Sequence, residues 1–293
     1  MVRAKSARTK SFNPVFDRKA GDTGNIIALE HLNVTVPDQS LATLFYVNGL
    51  GLTRDPYMDF GPVNVWVNVG REQFHLPTAK PQVLRGQVGL VVPDLDSLEK
   101  RLGRITPMLE GTRFSFKRSQ SHLDVTCPWG NRIRCLAPDA NRGPQLGLPW
   151  IELHVPRGTV DGIGRFYRDI IGSPAIVRRD VCEVSIGQYQ SLRFRERAKP
   201  EPHYDGHHIA VYVTDFSGPH SRLDQRGLIT EESDQHQYRF QAIIDPKNGK
   251  LLFELEHEVR SLFHPLYNRH LVNRNAEQSF FHYRKDRDAF TPR

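Results

Sequence analysis

The sequence predicts an α+β chain made of four repeats, each a strand, a helix and then three strands. Two observations carry this. Four apolar strand patterns that close on a turn recur about every 55 to 60 residues: HLNVTVPD from His31, QVGLVVPDLD from Gln87, WIELHVPRG from Trp150 and HIAVYVTDF from His208. Each repeat then ends in strands that run through a glycine turn, VNVGREQFHLP, CPWGNRIRCLAP, SIGQYQSLRFRE and DPKNGKLLFELE.

Within a repeat, Val-Pro-Asp or Thr-Asp stops the first strand and caps the helix that follows. Repeats one and three are the most alike. LATLFYVNGLGL recurs as GIGRFYRDIIGS, so Phe45-Tyr46 matches Phe166-Tyr167 and Gly51 matches Gly172. The helix buries its aromatic pair, and the glycine suits a left-handed C-terminal cap. Repeats two and four share the remaining pattern, as expected for duplication of a two-repeat half. Segments follow: a flexible basic leader (1–25), repeats one and two (26–136), a linker rich in Pro and Gly (137–149), repeats three and four (150–258), and a tail (259–293).

Composition narrows the partners. The 293 residues are 38% hydrophobic and 25% charged, ordinary for a globular protein, and no apolar run reaches the roughly 18 residues of a membrane span. A net charge of +7 invites a nucleic-acid reading, yet much of the excess lies in VRAKSARTK and HYRKDRDAFTPR near the ends. No strand or helix carries a basic stripe with interleaved aromatics, so nucleic acid is not an expected partner. Three cysteines outside any CxxC pair argue for a reducing, cytoplasmic setting and against a thiolate zinc site. The leader reads as a disordered polar segment rather than a targeting peptide.

His208 heads one apolar strand and Glu254 sits among Leu252, Phe253 and Leu255 in another. Strand alternation lets both point to one face, and imidazole beside carboxylate is a common start to a mononuclear metal site. A carboxylate in such apolar company is costly to bury without a partner.

The repeat and the local mark NGKLLFELE resemble the vicinal oxygen chelate superfamily, which includes glyoxalases, methylmalonyl-CoA epimerases and extradiol dioxygenases. The resemblance covers about Ile26 to Glu258. It implies that pairs of βαβββ modules form cupped mixed sheets and that a divalent metal sits in a cup, with ligands from the first and last strand of each module. On first strands the implied positions, six before the proline or its Thr214 replacement, are His31, Gln87, Trp150 and His208. On last strands, four or five after the glycine, they are His75, Arg134, Leu192 and Glu254, and Gln73 shares a face with His75.

Arginine, tryptophan and leucine offer no suitable donor. Donors therefore fall in modules one and four alone. Pairing in chain order would leave each cup half a site, whereas pairing one with four and two with three gives one cup a full set, an arrangement some superfamily members use. The expected ligands are His31, His208 and Glu254, with Gln73 or His75 as the fourth, around one Zn, Fe, Mn, Co or Ni ion.

The resemblance implies a metalloenzyme acting on a small oxygen-rich substrate. The first reading is metal-stabilised enediolate or proton transfer, as in an epimerase, isomerase or glyoxalase-type lyase, with Glu254 as catalytic base. The alternative is an Fe(II) extradiol or hydroquinone ring-cleaving dioxygenase. It is weakened because Ala242 to Ile244 stand where a substrate tyrosine is expected, although Tyr238 lies nearby. A non-catalytic small-molecule binding protein is the third. Tyr238 and, from the tail FHPLYNRHLVNR, His264, Tyr267 and Arg269 are the expected substrate contacts. A homodimer stays open, since cupped sheets of this type often pair across chains.

Overall fold

The structure is a computed structural model that describes residues 17–139, 143–199, 202–275, 281 and 283. Most of the expected leader, residues 1–16, and most of the tail beyond residue 275 therefore lie outside the described residues. Each module begins with the expected strand. Module one holds β1 (Ile26–Asn33), β2 (Thr53–Asp59), β3 (Asn64–Val69) and β4 (Glu72–Pro77). Module two holds β5 (Gly86–Val91), β6 (Ser115–Arg118), β7 (His122–Thr126) and β8 (Arg132–Leu136). Module three holds β9 (Trp150–Pro156), β10 (Ala175–Arg178), β11 (Val181–Gly187) and β12 (Gln190–Arg197). Module four holds β13 (His208–Val213), β14 (Ile229–Asp234), β15 (Gln237–Ile244) and β16 (Leu251–Arg260).

The strands form two mixed eight-stranded sheets. One runs β14-β15-β16-β13-β1-β4-β3-β2 and the other β10-β11-β12-β9-β5-β8-β7-β6. Modules one and four thus share one sheet, joined by antiparallel β1 and β13, and modules two and three share the other, joined by β5 and β9. The pairing expected from the uneven donor distribution is the one observed.

A helix follows the first strand of each module: α1 (Gln39–Ala42), α2 (Leu95–Ile105), α3 (Val160–Arg165) and α4 (Ser217–Asp224). Both α1 and α3 continue as a π-helical turn, Thr43–Gly49 and Phe166–Ile171, and Leu50 N–H reaches back to the Phe45 carbonyl as Gly172 N–H does to Tyr167. The matched aromatic pairs lie in these turns. Tyr167 packs on Phe194 of β12 and also hydrogen-bonds His257 of β16 at 2.7 Å, and Phe166 meets Phe240 of β15. The helix thus fills the space between the sheets. The matching helix of module one does likewise, with Tyr46 against Phe74 of β4 and Phe45 against Phe114. The apolar core lies between the two sheets, and each sheet presents its other face as a cup.

Polar clamps hold the sheets together. Gln190 of β12 accepts from Leu29 N–H of β1 at 3.1 Å and donates to Glu72 of β4 at 2.8 Å, while Glu72 also accepts from Leu148 N–H at 3.0 Å. Burial pushes the Glu72 carboxyl up to about 8, overriding the hydrogen bond from Leu148 and the charge of Arg71. It is therefore protonated at neutral pH. A carboxyl whose pKa rises on folding binds more protons folded than unfolded, so its contribution is complete below about 4.5 and is lost as pH rises towards 8. The expected result is that global stability falls by a few kcal/mol, to order of magnitude, between pH 5 and 8, and that Glu72→Gln flattens that slope. Urea unfolding at a series of pH values measures it. A wild-type slope that Glu72→Gln leaves intact would assign it to another group.

All three cysteines are buried and free of disulfides. No helix among the described residues is long and apolar enough to cross a membrane.

Candidate metal centre

The register of the first sheet brings the candidate donors together. His31 of β1 lies beside Gln73 of β4 and opposite Ala210 of β13, whose other neighbour is Glu258 of β16. One row along, Asn33 of β1 lies beside His75 and opposite His208, whose other neighbour is Glu256. Alternation turns these polar side chains to the cup and Ile209, Val211, Leu255 and His257 to the core.

His31, His75 and His208 converge, each offering a ring nitrogen within 4.8 Å of the others'. The nitrogens His31 Nε2, His75 Nδ1 and His208 Nε2 are buried and have no hydrogen-bond partner. The opposite nitrogen of each ring faces an oxygen. His31 Nδ1 is 2.6 Å from Glu30 Oε2, His75 Nε2 is 2.8 Å from Asn64 Oδ1, and His208 Nδ1 is 3.5 Å from Glu256 Oε1. An oxygen acceptor fixes the proton on the nitrogen it faces and leaves a lone pair on the other. Burial, and then the positive charge of neighbours, pushes His75 and His208 down to about 2, which keeps both rings neutral. Trp66 of β3 stacks on His75 at 3.8 Å between ring centres and meets His31 edge-on at 4.9 Å, fixing both rings.

Three bare, convergent imidazole nitrogens fit a divalent ion. Left without one, each buried nitrogen forfeits on the order of 1–3 kcal/mol of hydrogen bonding.

Carboxylates surround the cluster. Glu258 Oε2 lies 3.7 Å from His208 Nε2 and is held by Arg239 at 2.7 Å, with Arg260 on its other oxygen. Arg239 also holds Glu256 at 2.7 Å, and Arg260 reaches Glu30 at 2.5 Å. Burial alone would raise the Glu30 carboxyl, but His31 and Arg260 together bring it down to about 2.

The other expected residues fall as follows. Gln73 faces the cup, but its amide donates to Asp55 and Asn68 at 2.9 and 2.6 Å and its oxygen accepts from Arg269 at 3.2 Å, leaving it engaged away from the histidines. Glu254 lies opposite Ala242, past a slip in the β15–β16 register and beyond the end of the β13 pairing, with Gln241 on its carboxylate at 2.8 Å. It is not one of the groups drawn to the three histidines; Glu256 and Glu258 stand beside them instead. The glycine ruler missed this because β16 is ten residues long against six for β4, and pairs with its first strand from the sixth residue rather than the second.

Tyr238 corrects an expectation. On β15 it lies opposite Val259 of β16 and packs on Phe216 and His220, on the helix side of the sheet, so it does not reach the cup.

The described tail does cross the cup. Tyr267 packs on Tyr212 at 5.0 Å, His264 lies 6.2 Å from the same ring, and Arg269 pairs with Asp55 at 2.8 Å. Asn273 then bonds both the N–H and the carbonyl of Gly70, a turn glycine with φ of 74°. Beside this strap lies a cavity of about 1310 Å³ walled in part by Glu30, Gln73, Tyr212, Tyr267 and Arg269.

Among the described residues, the second cup shows no such set. Arg193 lies over Trp150, Glu152 bonds Arg195 at 3.0 Å, Arg134 bonds Asp124 at 2.8 Å, and Leu192 faces the core.

Glu30, Glu256, Glu258, Arg239 and Arg260 were not anticipated. The signal for two of them was present, since Glu254, Glu256 and Glu258 alternate along one strand and any of the three keeps the ligand parity.

No family model and no curated protein matches the sequence. Solved structures do match the fold. Glyoxalase I from Zea mays aligns over 80% of this chain and 92% of its own, with a TM-score of 0.54 and 11% identity. A candidate dioxygenase from Bacillus subtilis aligns over 81% of this chain and 86% of its own, with a TM-score of 0.53 and 14% identity. The chain shares the fold of these two structures, with its four modules arranged in two sheets.

Proposed function

We propose, taking the vicinal oxygen chelate fold as the premise, that this chain is a metal-dependent enzyme that moves a proton on a small oxygen-rich substrate. The observation that carries the reading is the set of three buried imidazole nitrogens without partners, converging in one cup. His31, His75 and His208 would hold the ion, with Glu258 as the nearest carboxylate donor. A divalent ion bound there supplies Lewis acidity to adjacent oxygens of the substrate, and a nitrogen and oxygen donor set suits Zn, Fe, Mn, Co or Ni.

The protein's own groups divide the remaining work. Glu258 is clamped by two arginines and Glu256 by one, so both carboxylates are already engaged. Glu254, bonded through its carboxylate by the neutral amide of Gln241, is the proposed base. Arg269, on the cavity wall with its Nη1 buried and unpartnered, suits a substrate oxygen. Tyr238 faces the helices, so β15 brings no tyrosine to the cup beside the carboxylates, which favours proton transfer over ring cleavage.

The test is reconstitution of the metal-free chain with each of the five ions in D2O, followed by NMR of a panel of 2-hydroxy carbonyl compounds. Metal-dependent exchange of the carbon-bound proton, at least about 100-fold slower in Glu254→Gln, is the expected result. Oxygen uptake with catechols or hydroquinones under Fe(II), without any proton exchange, would replace this reading with ring cleavage.

A further inference from the structure

Strand alternation should send Glu30 and His31 to opposite faces of the sheet. The pairing with β13 prevents it. Leu29 lies opposite Val211 and His31 opposite Ala210, so two steps of β1 match one step of β13, and Glu30 is the extra residue of a β-bulge. The bulge lets Glu30 sit at 2.6 Å from His31 Nδ1 although the two are neighbours in sequence. A bulge that buries a carboxylate in the middle of a sheet is a costly device unless the carboxylate has a task. Arg260 answers its charge at 2.5 Å.

The three rings differ in what lies behind them. His75 is backed by the neutral amide of Asn64, and His208 by a carboxylate at 3.5 Å. His31 alone has a carboxylate at short hydrogen-bond distance. A charged acceptor behind an imidazole both fixes the tautomer and raises the electron density on the far nitrogen.

We infer that Glu30 is a positioning residue that makes His31 the anchoring donor of the site, with the β1 bulge as the structural means. The inference rests on the proposed metal reading. Arg260 extends the assembly, since it joins Glu30 to Glu258 and so links the support of His31 to the carboxylate beside His208.

The experiment compares wild type, Glu30→Gln and Glu30→Ala as purified full-length chains, titrating Co(II) into the metal-free protein against a chromophoric chelator. Visible spectra of the bound ion and the melting temperature of each metal-free chain are recorded alongside. Glu30→Gln keeps the shape and can still accept from Nδ1–H, so it is expected to weaken binding about 10-fold, and Glu30→Ala about 100-fold. Both are expected to change the Co(II) spectrum while their stoichiometry stays that of wild type. Glu30→Gln decides the matter if the alanine variant fails to fold. Wild-type affinity and spectrum in Glu30→Gln, with a lower melting temperature only, would reduce Glu30 to a structural residue and overturn the inference while leaving the metal site standing. Absence of a stoichiometric ion in wild type would overturn both.

Discussion

His31→Ala, His75→Ala and His208→Ala are each expected to lower divalent-metal affinity by more than about 100-fold, beyond what loss of a supporting group costs. The reason is the convergence of their buried, unpartnered nitrogens within 4.8 Å. Removing one leaves two imidazoles and a carboxylate already engaged by arginines. The effect extends to stability, because an ion that binds only the folded chain adds about 2.7 kcal/mol at 100 times its dissociation constant. Wild type should therefore melt several degrees higher with the ion than after chelation, and the three variants should show little difference between the two states. Elemental analysis with paired melts measures both quantities. Variants that retain one ion per chain and the full thermal response would place the ion elsewhere.

Arg260→Met is expected to destabilise the chain by about 3–5 kcal/mol, the usual cost of stripping a buried ion pair of one member. Arg260 is 6% exposed and faces Glu30 and Glu258, themselves 9% and 3% exposed. Its loss leaves two carboxylates near each other, only one of them still held by Arg239. Urea denaturation gives the loss directly. Combining Arg260→Met with Glu30→Gln should recover part of it, since the double variant removes one of the stranded charges and the two sites are in contact. Strict additivity would show that Arg260 acts through packing of its stem rather than through charge.

Much of the architecture could be read from the chain because a module is marked at both ends, by an apolar strand running into a cap and by a glycine turn before the last strand. The sheet pairing was legible for a different reason. Donor chemistry is absent from Arg134, Trp150 and Leu192, and a cup cannot work with half a set. Positions within the cup were harder. The fixed distance from glycine to ligand pointed to Glu254, but the register that matters is set by where β16 meets β13, and that depends on strand lengths that local pattern does not specify. Glu30 was hidden because a bulge breaks the very alternation used to sort faces. Tyr238 was placed by proximity in sequence, whereas its neighbours on either side face the opposite way.

The nested order of the sheets bears on how the chain is made. The inner sheet needs only the middle of the polypeptide, whereas the outer one joins Asn33 to His208 and waits for the last module. During synthesis, β1 and β4 emerge first and spend the longest time without their far partner. Domains close as their residues become available, and pairings between distant segments form late. The inner half can therefore serve as a template on which module one is parked until module four arrives, and His31 meets His208 only at the final closure. The capacity to bind an ion would then report that module four has joined module one.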